Sequence, residues 1–351
     1  MTLTRVFHVD PLNPDQSVVE YCCEVLRSGG IVVFPTETVY GLGALASNGE
    51  AARKIFIAKG RPADNPLIVH ISKLEQLYEV AENMPEDVMK AVSVLWPGPF
   101  TVLLRKSPRV AKEVAAGLPT VAVRMPAHPV ALRLIDCAGP IAAPSANISG
   151  RPSPTTGFYT LLDMFGRVDA IIDAGETLYG IESTIIDTTT KPYKVLRPGA
   201  VPIEKVAEVL GQEIIVPEQA RGLGEYEKAL APGMKYKHYS PETPIILVES
   251  TSPKDAIQRL ANEYIEKGKK VLVIASRETI EVLRGCTPRT TSYGSRHNMF
   301  EVARNIFKVL RELDREGVDI AIVEGVEEKG LGLAVMNRLR KAASKIIKTT
   351  S

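Results

Sequence analysis

The chain has 351 residues, 45% of them hydrophobic and 24% charged, and its 43 Lys plus Arg nearly balance 41 Asp plus Glu for a net charge of +2. That balance excludes a wholesale basic coat for nucleic acid, although a local patch survives the arithmetic. No apolar run approaches the roughly 18 residues of a membrane span. The polar start MTLTRVFHVDPLNPDQ is not a secretory signal, so a cytoplasmic location is expected.

In chain order, Cys22 and Cys23 fall in an apolar helical stretch. Residues 31–34, β-branched and short, read as a buried strand, and 50–59 read as a helix opening after Asn48-Gly49. Residues 67–71 form the next strand, and 85–96 a helix with Pro85 in its first turn. Strands follow at 100–105 and 120–124, then a helix at 129–137 closed by Gly139-Pro140. Three more strands, at 170–173, 183–187 and 194–197, precede a helix at 203–210. Several of these steps pass from strand to strand, which predicts a mixed rather than a purely parallel sheet.

From about Val216 to Pro241 the periodicity fails, and glycines and prolines punctuate a long linker. Its second half is crowded with Lys235, Tyr236, Lys237, His238 and Tyr239, a density of aromatics that predicts docking rather than a floppy spacer. After Pro244 strands at 245–248, 271–274 and 320–323 alternate with helices at 254–267, 298–316 and about 333–347. That rhythm builds a small parallel, Rossmann-like sheet. The expected division is 1–215 catalytic, 216–241 linker and 242–351 a second α/β domain.

Cys22, Cys23, Cys137 and Cys286 have no C-x-x-C spacing, so buried reduced thiols are expected. The histidines His8, His70, His128, His238 and His297 are scattered, with no H-x-x-x-H, and no built-in metal site is expected.

Three segments carry chemistry. In Phe34-Pro-Thr-Glu-Thr-Val-Tyr-Gly-Leu-Gly43 a strand runs into two threonines flanking Glu37. Thr36 and Thr38 offer hydroxyls where open sheets hold ligands, and Gly41 and Gly43 let backbone approach a ligand. An ordinary strand-turn-strand explains the same residues equally well. In Lys59-Gly60-Arg61-Pro62, at a helix end, the cations serve either as a cap on the dipole or as a fixed pair suited to a polyphosphate. His70, on the strand that follows, reads first as packed core. In Pro144-Ser-Ala-Asn147-Ile-Ser149-Gly150 an apolar strand ends in small polar side chains. Ser145 and Asn147, two apart, share a face if the chain is extended. Arg124, Ser183 and Arg197 stand at strand ends, and Trp96-Pro-Gly-Pro-Phe100 reads as a structural corner.

Taken together, Pro35 to Gly43, Lys59 to Pro62, Trp96 to Thr101, Pro144 to Gly150, Ser183 to Asp187 and Arg197 to Gly199 resemble the YrdC-type family of threonylcarbamoyl-AMP synthases. The linker Ala231 to Pro241 and the α/β unit after it resemble the family's longer, two-domain form. The resemblance implies a twisted, mixed open α/β sheet with a concave cleft. It also implies an enzyme joining L-threonine, bicarbonate and ATP, with Mg²⁺ assisting, into threonylcarbamoyl-AMP and pyrophosphate. A separate machinery would pass the product to tRNA.

By that resemblance Lys59 and Arg61 bind the phosphates, and Ser145 and Asn147 hold the adenylate with Thr120, Arg197 and Tyr236 nearby. Arg124 pairs with the threonine carboxylate, while Thr36, His70 and Ser183 complete the threonine pocket, His70 standing as a hypothetical proton acceptor. Tyr236, His238 and Tyr239 are expected to lie over the cleft as a lid that excludes water. Two rival readings of the whole chain remain, beside a third that makes the C-terminal α/β unit a catalytically silent regulatory or partner-docking module. One is an RNA-binding module without adenylate synthesis, for which direct tRNA contact is undecided. The other is carbamoyl-adenylate chemistry of the hydrogenase-maturation type, which the missing C-x-x-C pairs disfavour. The basic run Arg338, Arg340, Lys341, Lys345 and Lys348 reads as a solvated helix face.

Overall fold

The computed structural model describes residues 2–224, 226, 229–234, 239–283 and 289–349. Two compact units divide it: residues 1–149, 153–220 and 224–236 form the first, and residues 150–152, 221–223 and 237–351 the second.

The first unit is built on one 11-stranded mixed sheet. Its strands are β1 (Arg5–His8), β2 (Val32–Phe34), β3 (Gly41–Leu45), β4 (Ile68–His70), β5 (Ala81–Glu82), β6 (Phe100–Lys106), β7 (Thr120–Arg124), β8 (Ile141–Ala143), β9 (Ala170–Asp173), β10 (Thr184–Asp187) and β11 (Lys194–Arg197). They lie side by side as β1-β9-β2-β3-β8-β4-β7-β6-β10-β11, with β5 pairing β6 at its far end. β2 and β3 form an antiparallel hairpin, whereas β4 and β7 run parallel, so the mixed sheet expected from the strand-to-strand steps is the one observed. Its edge strands, β1 and β11, are four residues each.

Helices Gln16–Arg27 and Pro129–Ala138 pack against this sheet through Cys22, Cys23, Leu26, Val130, Leu134 and Ile135. There Cys23 and Cys137 form a disulfide with their Cα atoms 6.0 Å apart, which overturns the expectation of reduced thiols for this pair. Neither cysteine has a partner nearby in sequence; the packing of the two helices brings them together. Cys22 is free and buried, and Cys286 lies outside the described residues.

Gly41 and Gly43 have a packing task of their own. A Cβ on Gly43 would stand 2.6 Å from Ile141 Cγ2 and 2.8 Å from the Phe34 ring, and one on Gly41 3.2 Å from that ring. The absent side chains make room for Phe34 across the hairpin, and the need for glycine is explained by core packing without a ligand.

The second unit carries a five-stranded sheet, β12 (Ile245–Ser250), β13 (Val271–Ser276), β14 (Thr290–Gly294), β15 (Ile320–Glu324) and β16 (Lys345–Thr349), ordered β14-β13-β15-β12-β16. Every pairing is parallel. The last helix ends at Ala342 rather than near residue 347, because the chain then turns into β16 beside β12. The basic run is accordingly not one solvated face. Arg338 is fully buried beneath the Tyr239 ring, and Arg340 makes a two-pronged pair with Glu249 at 2.7 and 2.9 Å. Lys345 and Lys348 sit on the strand.

Candidate active site

The site grows from strand register. His70 on β4 stands opposite Arg124 on β7, Arg124 opposite Thr101 on β6, Thr101 opposite Ile185 on β10, and Ile185 opposite Arg197 on β11. Laterally paired residues point to the same face of a sheet, and so do residues two apart along one strand. One face therefore carries His70, Arg124, Thr101, Ser183 and Arg197 in a polar row, although these residues are up to 127 positions apart in the chain. The contacts agree. Ser183 Oγ and Thr101 Oγ1 lie 2.8 Å apart, and Arg197 Nη2 donates to Ser183 O at 3.0 Å and Ser183 Oγ at 3.3 Å.

Two positions away from this row along β4, β7 and β6 the face turns apolar. Ile68, Ala122 and Leu103 lie level with one another, and Ile185 joins them in one cluster. Ala229, Ala231 and Met234 cover this half, and Arg197 Nη1 donates to Pro232 O at 3.2 Å. The described linker residues 229–234 thus dock on the sheet, through small and aliphatic side chains. Tyr236 and His238 lie outside the described residues, and Tyr239 stacks on Phe307 in the second unit at 5.0 Å.

Arg124 is anchored on three sides. Its Nε donates to Gly98 O at 3.2 Å, so the Trp96 corner has a positioning task, and its Nη1 donates to Thr38 Oγ1 at 2.9 Å. Nη2 stands 2.6 Å from Glu37 Oε1. Thr38 Oγ1 in turn lies 2.8 Å from Thr36 Oγ1, which donates to Val39 O. Thr36 is thereby joined to the polar row. Glu37 was read from the sequence only as the residue between two threonines, and its pairing with a strand 87 positions away had no local signal.

His70 is buried, with Nδ1 3.1 Å from Ile68 O. Burial first, and the Arg124 charge second, push its pKa down to about 3, so the imidazole is neutral at pH 7.

Lys59 and the Ser145–Asn147 loop are also brought together. The helix Gly49–Lys59 begins with Asn48 accepting from Ala51 N and ends because Gly60 takes a left-handed φ of 60°. That stop turns Lys59 inward, where it is 2% exposed. Its Nζ donates to Ser145 O and, at 2.6 Å, to Asn147 O. Ser145 Oγ donates to Asn147 Oδ1 at 2.5 Å, so the two side chains share a face as their spacing predicted. Arg61 Nη2 donates to Asn65 O at 2.9 Å and Pro66 O at 3.1 Å, which shapes its own loop.

Thr120 stands apart. It opens β7, four residues from Arg124, or about 13 Å at 3.3 Å per residue. There it lines a cavity of about 320 Å³ with Asn83, Leu104, Arg105 and Thr188. Among the described residues no group of three or more His, Cys, Asp or Glu is placed to hold a metal. No step below passes through a metal held by the protein.

A family model described as "Telomere recombination", that of Sua5, YciO and YrdC proteins, matches residues 24–199. The chain belongs to this family. A second model, described as the C-terminal domain of threonylcarbamoyl-AMP synthase, matches residues 201–344. A threonylcarbamoyl-AMP synthase of Pyrococcus abyssi is 50% identical over 92% of this chain and 93% of its own. One from Bacillus subtilis is 42% identical over 95% of each. The crystal structure of P. abyssi Sua5 complexed with L-threonine matches with a TM-score of 0.91 and 47% identity, over 98% of this chain and 99% of that one. The Sua5/YrdC resemblance, the α/β fold and the synthase reading drawn from the motifs all agree with these matches, and the RNA-binding alternative gains nothing from them. No helix among the described residues is long and apolar enough to cross a membrane.

Proposed function

We propose that the chain makes threonylcarbamoyl-AMP and pyrophosphate from L-threonine, bicarbonate and ATP, in the cytoplasm, for a separate tRNA-modifying machinery. The observation that carries this is the likeness, over nearly the whole of both chains, to a Sua5 structure complexed with L-threonine. In this reading the threonine amine attacks bicarbonate, and the resulting carbamate oxygen attacks the α-phosphate in line as pyrophosphate leaves. Such chemistry asks for positioning and charge more than for a covalent intermediate.

Arg124, held on three sides, takes the threonine carboxylate as a fixed fork. Thr36, His70 and Ser183 complete that pocket, and a neutral His70 spares the ammonium group a second positive charge beside Arg124. Arg61 and Lys59 face the triphosphate. Lys59 acts partly through the Ser145–Asn147 loop that it braces, and that loop with Arg197, Thr120 and Tyr236 holds the adenylate. Magnesium, in this reading, travels with ATP as part of the substrate. The linker serves as a lid over the polar row, a role favoured by its seat on the adjoining apolar half. Catalysis is assigned to residues 1–215, and 242–351 to a docking or regulatory role.

The test is pyrophosphate release from purified protein with ATP, Mg²⁺ and bicarbonate, with and without L-threonine. Release that needs both threonine and bicarbonate supports the synthase. Release indifferent to threonine overturns it, and a steeply salt-dependent affinity for tRNA without ATP turnover favours the RNA-binding module.

A further inference from the structure

Glu37 is a carboxylate with unused capacity. It is 3% exposed, yet among the described residues neither of its oxygens accepts a hydrogen bond. Among the described residues it pairs with Arg124 Nη2, which is buried and is itself without an aligned hydrogen-bond acceptor. Leaving a buried charge so poorly bonded is costly, because a carboxylate in a protein interior ordinarily collects several donors. Here acceptor and donor lie side by side, 2.6 Å apart, at the Arg124 position of the polar row. The pair is complementary to one chemical class, an α-amino acid zwitterion. Its carboxylate meets the guanidinium, its ammonium meets Glu37, and each orphaned atom gains a partner of opposite charge.

We propose that Glu37 binds the α-ammonium group of the amino acid substrate and is the base that removes its proton. The proposal rests on the synthase reading and on Arg124 receiving the substrate carboxylate. The step balances as follows. The ammonium gives one proton to the Glu37 carboxylate, leaving a neutral amine and a carboxylic acid. The nitrogen lone pair forms the N–C bond to bicarbonate, the C–OH bond breaks, and the hydroxide departs as water with a second proton from nitrogen. The carbamate remains, and Glu37 returns its proton to solvent after product leaves.

Neighbouring groups fit this assignment. His70, pushed low by burial and by Arg124, is a poor acceptor for an ammonium proton at neutral pH. His128 is held below its usual range by burial, against the pull of the Glu37 charge, and the Tyr179 hydroxyl is raised, first by burial and then by that charge. Arg124, His70, His128 and Tyr179 thus share this environment, and of these side chains with Glu37 only Glu37 is a carboxylate.

The experiment compares Glu37→Gln and Glu37→Asp with the unaltered protein, in full-length form, by threonine-dependent pyrophosphate release from pH 6 to pH 10. Removal of a general base costs about 10²–10⁴-fold. Glu37→Gln is expected to lose that much in kcat/KM for threonine near pH 7, and the deficit should shrink as rising pH supplies the free amine from solution. Glu37→Asp, which keeps the carboxylate, is expected to retain the pH profile of the unaltered protein at reduced rate. A Glu37→Gln deficit that stays constant across the range overturns the proposal and leaves Glu37 a positioning residue for Arg124. Should Glu37→Gln not fold, as judged by its melting transition, Glu37→Asp decides: a profile that rises with pH where that of the unaltered protein is flat would overturn the proposal. Threonine-independent release by the unaltered protein would instead defeat the synthase reading, so the two failures are distinguishable.

Discussion

Lys59 Nζ donates to the backbone carbonyl of Asn147 at 2.6 Å, joining the end of one helix to a loop 88 positions later. The same ammonium reaches Ser145 O. Charge-assisted bonds of this kind are roughly twice as strong as neutral ones, and a buried carbonyl deprived of its donor costs more again. Lys59→Met should therefore lower stability by about 3 kcal/mol. It should abolish ATP-dependent turnover even where the protein remains folded. Thermal melts run beside pyrophosphate release measure both, and full turnover in a folded Lys59→Met would remove the brace from the account.

The Cys23–Cys137 bridge closes a loop of 114 residues. In the chain-entropy view such a loop stabilises the folded state by about 4–5 kcal/mol at 25 °C. Reduction, or the double change Cys23→Ala with Cys137→Ala, should move the denaturant midpoint down by a corresponding amount while threonine-dependent turnover at 25 °C persists. Identical midpoints with and without reductant would show that the bridge contributes nothing.

Gly43 has no space for a methyl group between Ile141 and Phe34. Gly43→Ala should cost about 1–3 kcal/mol through overpacking. Adding Ile141→Val should recover part of that loss, because Ile141 Cγ2 is the nearest atom. Strictly additive melting shifts for the two changes would mean that they do not meet.

His70 makes the first unit sensitive to acid. Its folded pKa, about 3, lies below the 6.5 of a free imidazole. Between those values the unfolded chain binds a proton that the folded chain refuses. The stability is complete above about pH 6.5 and declines as pH falls toward 3, by a total on the order of a few kcal/mol. His70→Asn should flatten that slope in urea midpoints taken from pH 7 to pH 4, and an unchanged slope would place the acid sensitivity elsewhere.

Local signals were enough for most elements. The apolar runs at β4, β7 and β13, and the Asn48 and Gly60 limits of the first unit's second helix, can be read without neighbours. The Ser145 and Asn147 face followed from their spacing alone. What could not be read depends on pairing between distant strands and helices. The alignment of His70, Arg124 and Thr101 exists only in register, and Glu37 becomes noteworthy only beside Arg124. Cys23 finds Cys137 only once two helices pack. At the chain's end Ile346 and Ile347 extend the helical spacing set by Leu339, and the hydrogen bonds available beside β12 override it. Arg338 and Arg340 were misread for the same reason, since charge in a sequence carries no mark of the partners that bury it.

The seat of Ala229, Ala231 and Met234 sets where this protein can be cut. A fragment ending at residue 199, where the first family model stops, keeps the whole polar row but strips the cover from Ile68, Leu103, Ala122 and Ile185. Bare aliphatic surface on an open sheet invites self-association. The smallest piece that retains its own covering therefore runs through Met234, well past the last strand of its sheet, and the stretch that reads as a tether is part of that unit's wall.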